Sequence, residues 1–271
     1  MIYVADSRWY PTDTNPFKED GTYGSDWSAF IYDLDISYFT NVYPDAKLHV
    51  LRFSPAADKE HIRFFDFLSY ELSYNRNVII KVSKGISAED LLTQYKTAPH
   101  EITFRSTDEE YMVHSTSLLT WEYIKKDKSL LSPNMLKADG REVMEIGLKP
   151  MLEPPDYSDY IMLDVLNGCG ELVVNSRQLG YVCTDPNALY TPGIRLYFDV
   201  RKMIRDNIAV RDGLHLLKVK NCLPLADYLL AAISSEDFQE EMKWTPTLFT
   251  EKANQLFFDR YVYGSVAYKL E

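Results

Sequence analysis

The sequence predicts an α+β fold with a β-rich start, a short helical segment and a second run of strands. Apolar and polar residues alternate along 30–38 and 48–53, which is typical of half-buried strands. Apolar residues recur at helical spacing through 61–74, which predicts an amphipathic helix. From residue 112 onward, one strand and one helix precede segments that are mainly strand-like.

The order of elements after residue 60 predicts a small winged-helix-like lobe. The helix of 61–74 is followed by the strand NVIIKV, and Ser87 is a suitable N-cap for the helix AEDLLTQY. The segment EITF then predicts another strand. The predicted organisation is a β-rich N-terminal extension, the winged-helix-like lobe, a β-rich lobe with an insertion at 138–180, and a C-terminal extension, at residues 1–60, 61–110, 111–233 and 234–271.

The insertion at 138–180 is interrupted by Pro150, Pro154 and Pro155 but contains two apolar segments, DYIMLDV and GELVVNS. Both predict strands. Further strands are predicted for GYVCT, RLYFDV and GLHLLKV, before a short helix near ADYLLAAI. The tail beyond residue 234 is acidic and aromatic and resembles no pattern.

Charge and composition narrow the class of protein. Among 271 residues, 29 Lys and Arg stand against 40 Asp and Glu, giving a net charge of -11 without a long basic stripe. An extended nucleic-acid surface is therefore disfavoured, whereas a local pocket for one phosphate is compatible with the sequence. Three distant cysteines indicate neither a zinc site nor a disulfide framework, so we expect no metal. Without a leader pattern or a membrane-length apolar run, a cytoplasmic protein is expected.

Six short motifs occur in an order that is similar to one enzyme family. They are FLSYELSYN, GISAEDLL, HEITF, VHSTSLLTWEYIKKDKSLLSPNMLK, YVCTDPNALY and IRLYFDVRKMIRDNIAVRDGLHLLKVKNCLPLADYL, at residues 67–75, 85–92, 100–104, 113–137, 181–190 and 194–229. Together they resemble the opening helix, the His-Gly-Thr strand and the closing strands of the RNA 2'-phosphotransferase family. This family belongs to the ADP-ribosyltransferase superfamily, and the resemblance covers rather more than half of the chain.

The resemblance implies a winged-helix-like lobe joined to an ADP-ribosyltransferase-like lobe with a split antiparallel β core. It also implies NAD as co-substrate. In that family the RNA 2'-phosphate attacks C1'' of the nicotinamide ribose and expels nicotinamide. The neighbouring hydroxyl then releases a cyclic ADP-ribose phosphate. The expected partners are NAD or ADP-ribose and a phosphorylated RNA or protein acceptor, with no membrane.

The same resemblance supplies candidate NAD-binding residues. His114, Ser115 and Thr116 match the His-Gly-Thr strand and offer hydrogen bonds to a ribose diol and a nicotinamide amide. Tyr181 lies where the family places a ring that stacks on nicotinamide, although a core tyrosine is equally compatible. Thr184 contacts the ligand or belongs to the turn before Pro186.

The candidate catalytic residues are cations. The family's Arg-His pair is replaced by Ser73 and Tyr74, which leaves Arg76 close by. Arg105 is a substitute for a second family arginine, and Lys137 replaces a third while losing its bidentate geometry. Arg76, Arg105 and Lys137 would stabilise charge that develops on the phosphate.

Other titratable residues are interpreted as structural. Glu145 and Glu171 lie in the insertion and are explained as surface charges, and His215 as a packed or edge histidine.

Three functional hypotheses follow. The first is an NAD-dependent transferase that moves ADP-ribose onto a phosphate or another acceptor. The second is an inactive homologue that binds NAD or ADP-ribose as a sensor or interaction module. The third is a structural domain with an empty cleft.

Overall fold

The computed structural model describes residues 1–40, 45–98, 102–143, 154–239 and 242–264. The chain divides into two compact units, each discontinuous in sequence. The N-terminal unit comprises residues 1–102, 150–157 and 211–216. The C-terminal unit comprises residues 103–149, 158–210 and 217–271. No helix in the described ranges is long and apolar enough to cross a membrane.

One five-stranded sheet organises the N-terminal unit. Its strands are β1 (Ile2–Val4), β2 (Trp27–Tyr32), β3 (Phe39–Thr40), β4 (His49–Phe53) and β5 (Asn77–Lys81). The order is β1-β5-β2-β4-β3, where the first four are parallel and β3 pairs with β4 in the antiparallel sense. Its helices are α1 (Ile62–Ser73) and α2 (Ala88–Thr97).

The burial of the central strand β2 shows that this sheet is covered on both faces. All six of its residues are buried, which is typical of an interior strand in a parallel sheet. Phe30 packs with Phe64 and Phe67 of α1 in one core cluster. Ile31 packs with Trp9 in a second cluster. The helical spacing predicted through 61–74 is confirmed by α1, and the side chain of Ser87 caps α2.

This arrangement differs from the predicted N-terminal organisation. The strand β5, placed by sequence in a winged-helix-like lobe at 61–110, lies between β1 and β2 of the supposed extension at 1–60. Residue 60 is therefore no boundary between compact units. The described part of EITF, residues 102–104, is not a strand. The spacing of apolar residues within a helix or strand is a local signal, so the elements themselves could be predicted. The pairing of distant strands is not a local signal, so the partner of each strand could not be predicted.

The described part of the C-terminal unit contains three small antiparallel sheets. Their strands are β6 (Tyr111–Thr116), β7 (Ser129–Leu131), β8 (Tyr160–Leu163), β9 (Ile194–Asp199), β10 (Ala209–Val210), β11 (Leu217–Lys220), β12 (Cys222–Pro224) and β13 (Leu229–Ser234). The orders are β13-β9-β6, β10-β11-β8 and β12-β7. The helices are α3 (Leu118–Asp127), α4 (Pro133–Ala138), α5 (Cys169–Leu179), α6 (Val200–Arg205), α7 (Leu225–Tyr228) and α8 (Pro246–Phe257), followed by a π-helix at Phe258–Tyr263.

Helices and several small sheets make the described chain a mixed α and β fold, as the sequence predicts at this coarse level. The strand predicted within DYIMLDV is confirmed by β8. The strand predicted for GELVVNS is wrong, because these residues belong to α5. Glu171, Val174 and Asn175 are buried at helical spacing, and Gly180 ends the helix in the left-handed region. The segment GYVCT is not a strand either.

The tail beyond residue 234 is part of the C-terminal unit rather than an extension. Helix α8 begins after Thr245, whose side chain accepts a hydrogen bond from the Leu248 backbone. Phe249, Ala253 and Phe257 are fully buried in the core cluster that includes β6 and β9. This helix contributes directly to the region around the predicted NAD-binding strand.

Candidate functional site

Strand β6 carries the His-Ser-Thr sequence along an edge of its sheet. It pairs with β9 throughout, so Ser115 lies directly opposite Arg195. On its other side, Val113 forms a bridge to Asp164. Side chains alternate between the faces of a strand, so His114 and Thr116 share one face and Ser115 lies on the other. The three predicted ligand-binding side chains therefore do not point into one pocket.

The environment of His114 keeps its imidazole neutral. The side chain is half-buried, and Nδ1 lies 3.3 Å from the carbonyl oxygen of Met162. A carbonyl only accepts hydrogen bonds, so Nδ1 carries the proton and Nε2 is an acceptor. Burial lowers the pKa of His114, the Met162 carbonyl partly opposes this, and the positive charge of Arg177 lowers it further. His114 is thus a neutral hydrogen-bond acceptor near a cation.

Ser115 and Thr116 are both buried within the unit. The Ser115 hydroxyl donates a hydrogen bond of 2.6 Å to Oε1 of Glu171, so this hydroxyl already has an acceptor. The backbone of Gly193 lies close to the backbone of Thr116. A Cβ on Gly193 would fall 1.8 Å from the Thr116 carbonyl oxygen, so glycine is required there.

Glu171 is the centre of a buried polar network. It is fully buried, which shows that its interpretation as a surface charge is wrong. Its Oε2 atom lies 2.7 Å from Nη1 of Arg195, and Thr250 of α8 donates to the same oxygen at 3.2 Å. A carboxylate loses solvation when buried and requires such donors in compensation. Glu145, interpreted in the same way from sequence, lies outside the described residues.

The other nitrogen atoms of Arg195 also donate hydrogen bonds within this network. Its Nη2 atom donates to the carbonyl of Asn167 at 3.0 Å. Its Nε atom donates to the Tyr197 hydroxyl and to Oδ1 of Asn254, each at 3.2 Å. The Arg195 side chain is fully buried and bonded on all its nitrogens. Sequence reasoning missed this pair, although an arginine inside the apolar strand IRLYFD is a signal for a buried partner.

Tyr181 and Thr184 follow the end of α5. Both are exposed, and the Tyr181 side chain is 59% accessible. The backbone of Cys183 donates to the Ser176 hydroxyl at 2.9 Å, which fastens this loop to α5. In the part of the chain that the structure describes, neither a hydrogen bond nor a ring contact joins Tyr181 to His114. Tyr181 is therefore a surface ring, not a core tyrosine.

The cations of the C-terminal unit differ in their surroundings. Arg177 of α5 is exposed, makes no ion pair within the described ranges, and is near enough to influence His114. Lys137 is exposed at the end of α4. Arg105 is half-buried, and its backbone N–H donates to Asp108 at 2.6 Å. Arg177 was not singled out from the sequence, because an isolated arginine in an irregular segment carries no pattern.

Arg76 belongs to the N-terminal unit, apart from the other candidates. It is buried and bound to two carboxylates, those of Glu71 and Asp156. Its positive charge is thus already neutralised. His215, in the same unit, lies 2.9 Å from Asp212 and contacts the Tyr157 ring, so it is packed.

No cluster of three or more metal-binding side chains occurs in the described ranges. No protein-family model matches the chain, and no significant match is found among curated proteins or solved structures. The resemblance to the RNA 2'-phosphotransferase family therefore stays a prediction from motif order.

Proposed function

We propose that the C-terminal unit binds NAD at β6 and transfers its ADP-ribose group to a phosphate or another acceptor. The observation that supports this most is the hydrogen bond of His114 Nδ1 to the Met162 carbonyl, which leaves Nε2 as an acceptor in the same unit as the exposed cation Arg177. A dinucleotide offers ribose hydroxyls as donors and a diphosphate as an anion. The acceptor Nε2 of His114 matches the ribose hydroxyls, and the exposed Arg177, which forms no ion pair in the described ranges, matches the diphosphate.

The side chains present fit this ligand class. Nε2 of His114 would accept a hydrogen bond from a ribose hydroxyl, and Arg177 would bind a phosphate oxygen. The exposed ring of Tyr181 offers a flat face for nicotinamide, and Thr184 a hydroxyl. Transfer breaks the bond between nicotinamide and ribose C1'', and its electron pair leaves with nicotinamide. The acceptor oxygen then bonds to C1'', and Lys137 and Arg105 would stabilise its negative charge.

Nicotinamide release from NAD tests the proposal, with 2'-phosphorylated RNA added as one acceptor. We expect release by the wild-type protein and a loss of about 100-fold in His114→Ala, because a positioned polar group contributes on this scale. Arg177→Gln should mainly raise KM. Lys126→Ala removes an exposed cation of α3 in the same unit and should leave release unchanged.

A second hypothesis is binding of NAD or ADP-ribose without turnover. It is favoured because Ser115 already donates a hydrogen bond to Glu171, and Arg76 already forms ion pairs with Glu71 and Asp156. It predicts thermal stabilisation by NAD or ADP-ribose without nicotinamide, since a ligand at 100 times its Kd stabilises the folded state by about 2.7 kcal/mol. If NAD and ADP-ribose give no thermal stabilisation and no nicotinamide is released, both hypotheses are contradicted.

A further inference from the structure

The buried network around Glu171 joins three elements that are far apart in sequence. Ser115 comes from β6, Arg195 from β9 and Thr250 from α8, and each has a polar atom within 3.2 Å of the Glu171 carboxylate. Every one of these side chains is buried. Each oxygen of Glu171 therefore has a defined donor, and the carboxylate holds the three elements in one arrangement.

Helix α5 approaches its neighbours closely because glycines stand at the contacts. A Cβ on Gly170 would lie 2.9 Å from the Ser115 hydroxyl oxygen. A Cβ on Gly168 would lie 3.2 Å from the Thr250 hydroxyl oxygen. A larger residue at either position would require the Ser115 or Thr250 side chain to shift. The sequence Gly-Cys-Gly-Glu thus brings Glu171 within reach of both.

Ser115, the network residue on β6, is next to His114 in sequence, but its side chain lies on the opposite face of the strand. Backbone pairing to β9 holds β6, and the hydrogen bond of Ser115 to Glu171 adds a side-chain restraint at the residue next to His114. On the far side of the network, Asn254 accepts from Arg195 and donates to the Leu166 carbonyl at 2.7 Å. Helix α8 therefore supports both ends of the ion pair.

We infer that Glu171 and Thr250 are positioning residues, through which the C-terminal helix α8 sets the orientation of His114 in the ligand site. This inference rests on the proposed function for its kinetic consequence, but the orientation of His114 is measurable without a ligand. Thr250 is the informative position because it does not belong to β6. The hydrogen bond from the Thr250 hydroxyl to Glu171 is the link that a substitution at this position removes.

The test compares two threonines of α8 by NMR of the His114 imidazole and by nicotinamide release. Thr250→Val removes the hydroxyl bound to Glu171 with little change of shape. Thr247→Val is the control, since that hydroxyl donates to the Pro186 carbonyl at 2.9 Å and has no link to Glu171. Thr250→Ser restores the hydroxyl. Ser115→Ala repeats the test from the other end of the network.

We expect Thr250→Val and Ser115→Ala to shift the His114 ring resonances and to lower kcat about tenfold, with KM little changed. Thr250→Ser should restore both, and Thr247→Val should leave the His114 resonances unchanged. Unchanged His114 resonances in folded Thr250→Val and Ser115→Ala would overturn the inference. If the wild-type protein releases no nicotinamide, the proposed function fails, and the resonances alone then decide whether α8 positions His114.

Discussion

Within the described ranges, a buried glutamate–arginine pair occurs in each unit, and the two pairs differ in how completely they are hydrogen-bonded. In the C-terminal unit, both oxygens of Glu171 accept hydrogen bonds and Arg195 donates from every nitrogen. In the N-terminal unit, Oε1 of Glu71 accepts from Arg76 at 3.1 Å, but its Oε2 atom has no hydrogen-bond partner in the described ranges. Both glutamates are fully buried.

The difference in bonding has an electrostatic consequence. Burial raises the pKa of Glu71 above its ordinary value, and the nearby charge of Asp212 raises it too, whereas the charge and hydrogen bond of Arg76 lower it only in part. The positive charge of Arg76 is also shared with Asp156. A buried ion pair offsets its lost solvation only when its remaining atoms are hydrogen-bonded. A carboxylate whose pKa is raised by burial makes the stability of the unit depend on pH.

The largest expected effect comes from breaking the well-bonded pair. Arg195→Met should destabilise the C-terminal unit by about 3–5 kcal/mol, because Glu171 is then buried without a counter-charge. Hydrogen exchange of the β6 and β9 amides measures this loss within the unit. Adding Glu171→Leu to Arg195→Met should recover part of the stability, since the double variant buries no charge.

The control is an arginine with an exposed partner. Arg201 and Glu110 form an ion pair in which each side chain is 56% exposed. Arg201→Met should cost at most about 1 kcal/mol. Equal losses in Arg195→Met and Arg201→Met would show that burial of the pair does not matter, and the comparison between the units would fail.

A smaller effect is expected where residues 211–216 join the N-terminal unit. Gly213 has a φ of 83°, and a Cβ there would lie 2.6 Å from the Arg63 carbonyl oxygen and 2.8 Å from Cβ of Phe67. Gly213→Ala should therefore destabilise this unit by about 2–4 kcal/mol, through backbone strain and steric overlap together. Exchange of the β5 amides measures the loss.

Gly85 is the matched control for backbone strain. Its φ is 93°, but a Cβ there meets no atom within 4 Å. Gly85→Ala should cost only about 1 kcal/mol. A loss in Gly213→Ala no larger than in Gly85→Ala would mean that the segment carrying Asp212 is not held tightly against α1, and that its charge is not fixed near Glu71.

The fold could be predicted from sequence only where the signal is local. The spacing through 61–74 predicted α1, and the strands predicted at 48–53 and for RLYFDV correspond to β4 and β9. The half-buried strand predicted at 30–38 is wrong beyond residue 32, because β2 ends at Tyr32 and is buried on both faces. The sheet order could not be predicted, because β5 pairs with strands that lie 40 or more residues away in sequence. Helix α5 was mistaken for a strand since a short apolar run fits either structure. Helix α8 was overlooked despite Thr245 and Pro246, which are typical of a helix start.

The strand that carries the candidate site could be predicted from the sequence, but the residues that surround this strand could not. The triplet at 114–116 marked β6, and strand alternation already implied that Ser115 faces away from His114. Glu171 was misinterpreted because glutamates are rarely buried unless they are paired. Its partner, Arg195, was visible only as a charge within an apolar strand. Distances between residues 115, 171, 195 and 250 depend on tertiary packing, which a single sequence does not specify.

The smallest expected effect is a difference in the sign of pH dependence between the units. The folded-state pKa of Glu71 is raised above its unfolded value near 4.5, so the unfolded chain loses this proton first as pH rises. The N-terminal unit therefore loses stability through that window, by about 1.4 kcal/mol for each unit of pKa difference. The folded-state pKa of His114 is lowered below 6.5, so the C-terminal unit loses stability as pH falls below that value.

Hydrogen exchange from pH 5 to 8, read separately on β5 and β6, tests these signs. Glu71→Gln should remove the falling slope from the N-terminal unit, since glutamine resembles the protonated acid. His114→Asn should remove the rising slope from the C-terminal unit. The groups acting on His114 are the Met162 carbonyl and Arg177, so Arg177→Gln should raise the pKa of His114 and reduce its slope. Slopes of the same sign in both units would show that burial does not raise the pKa of Glu71.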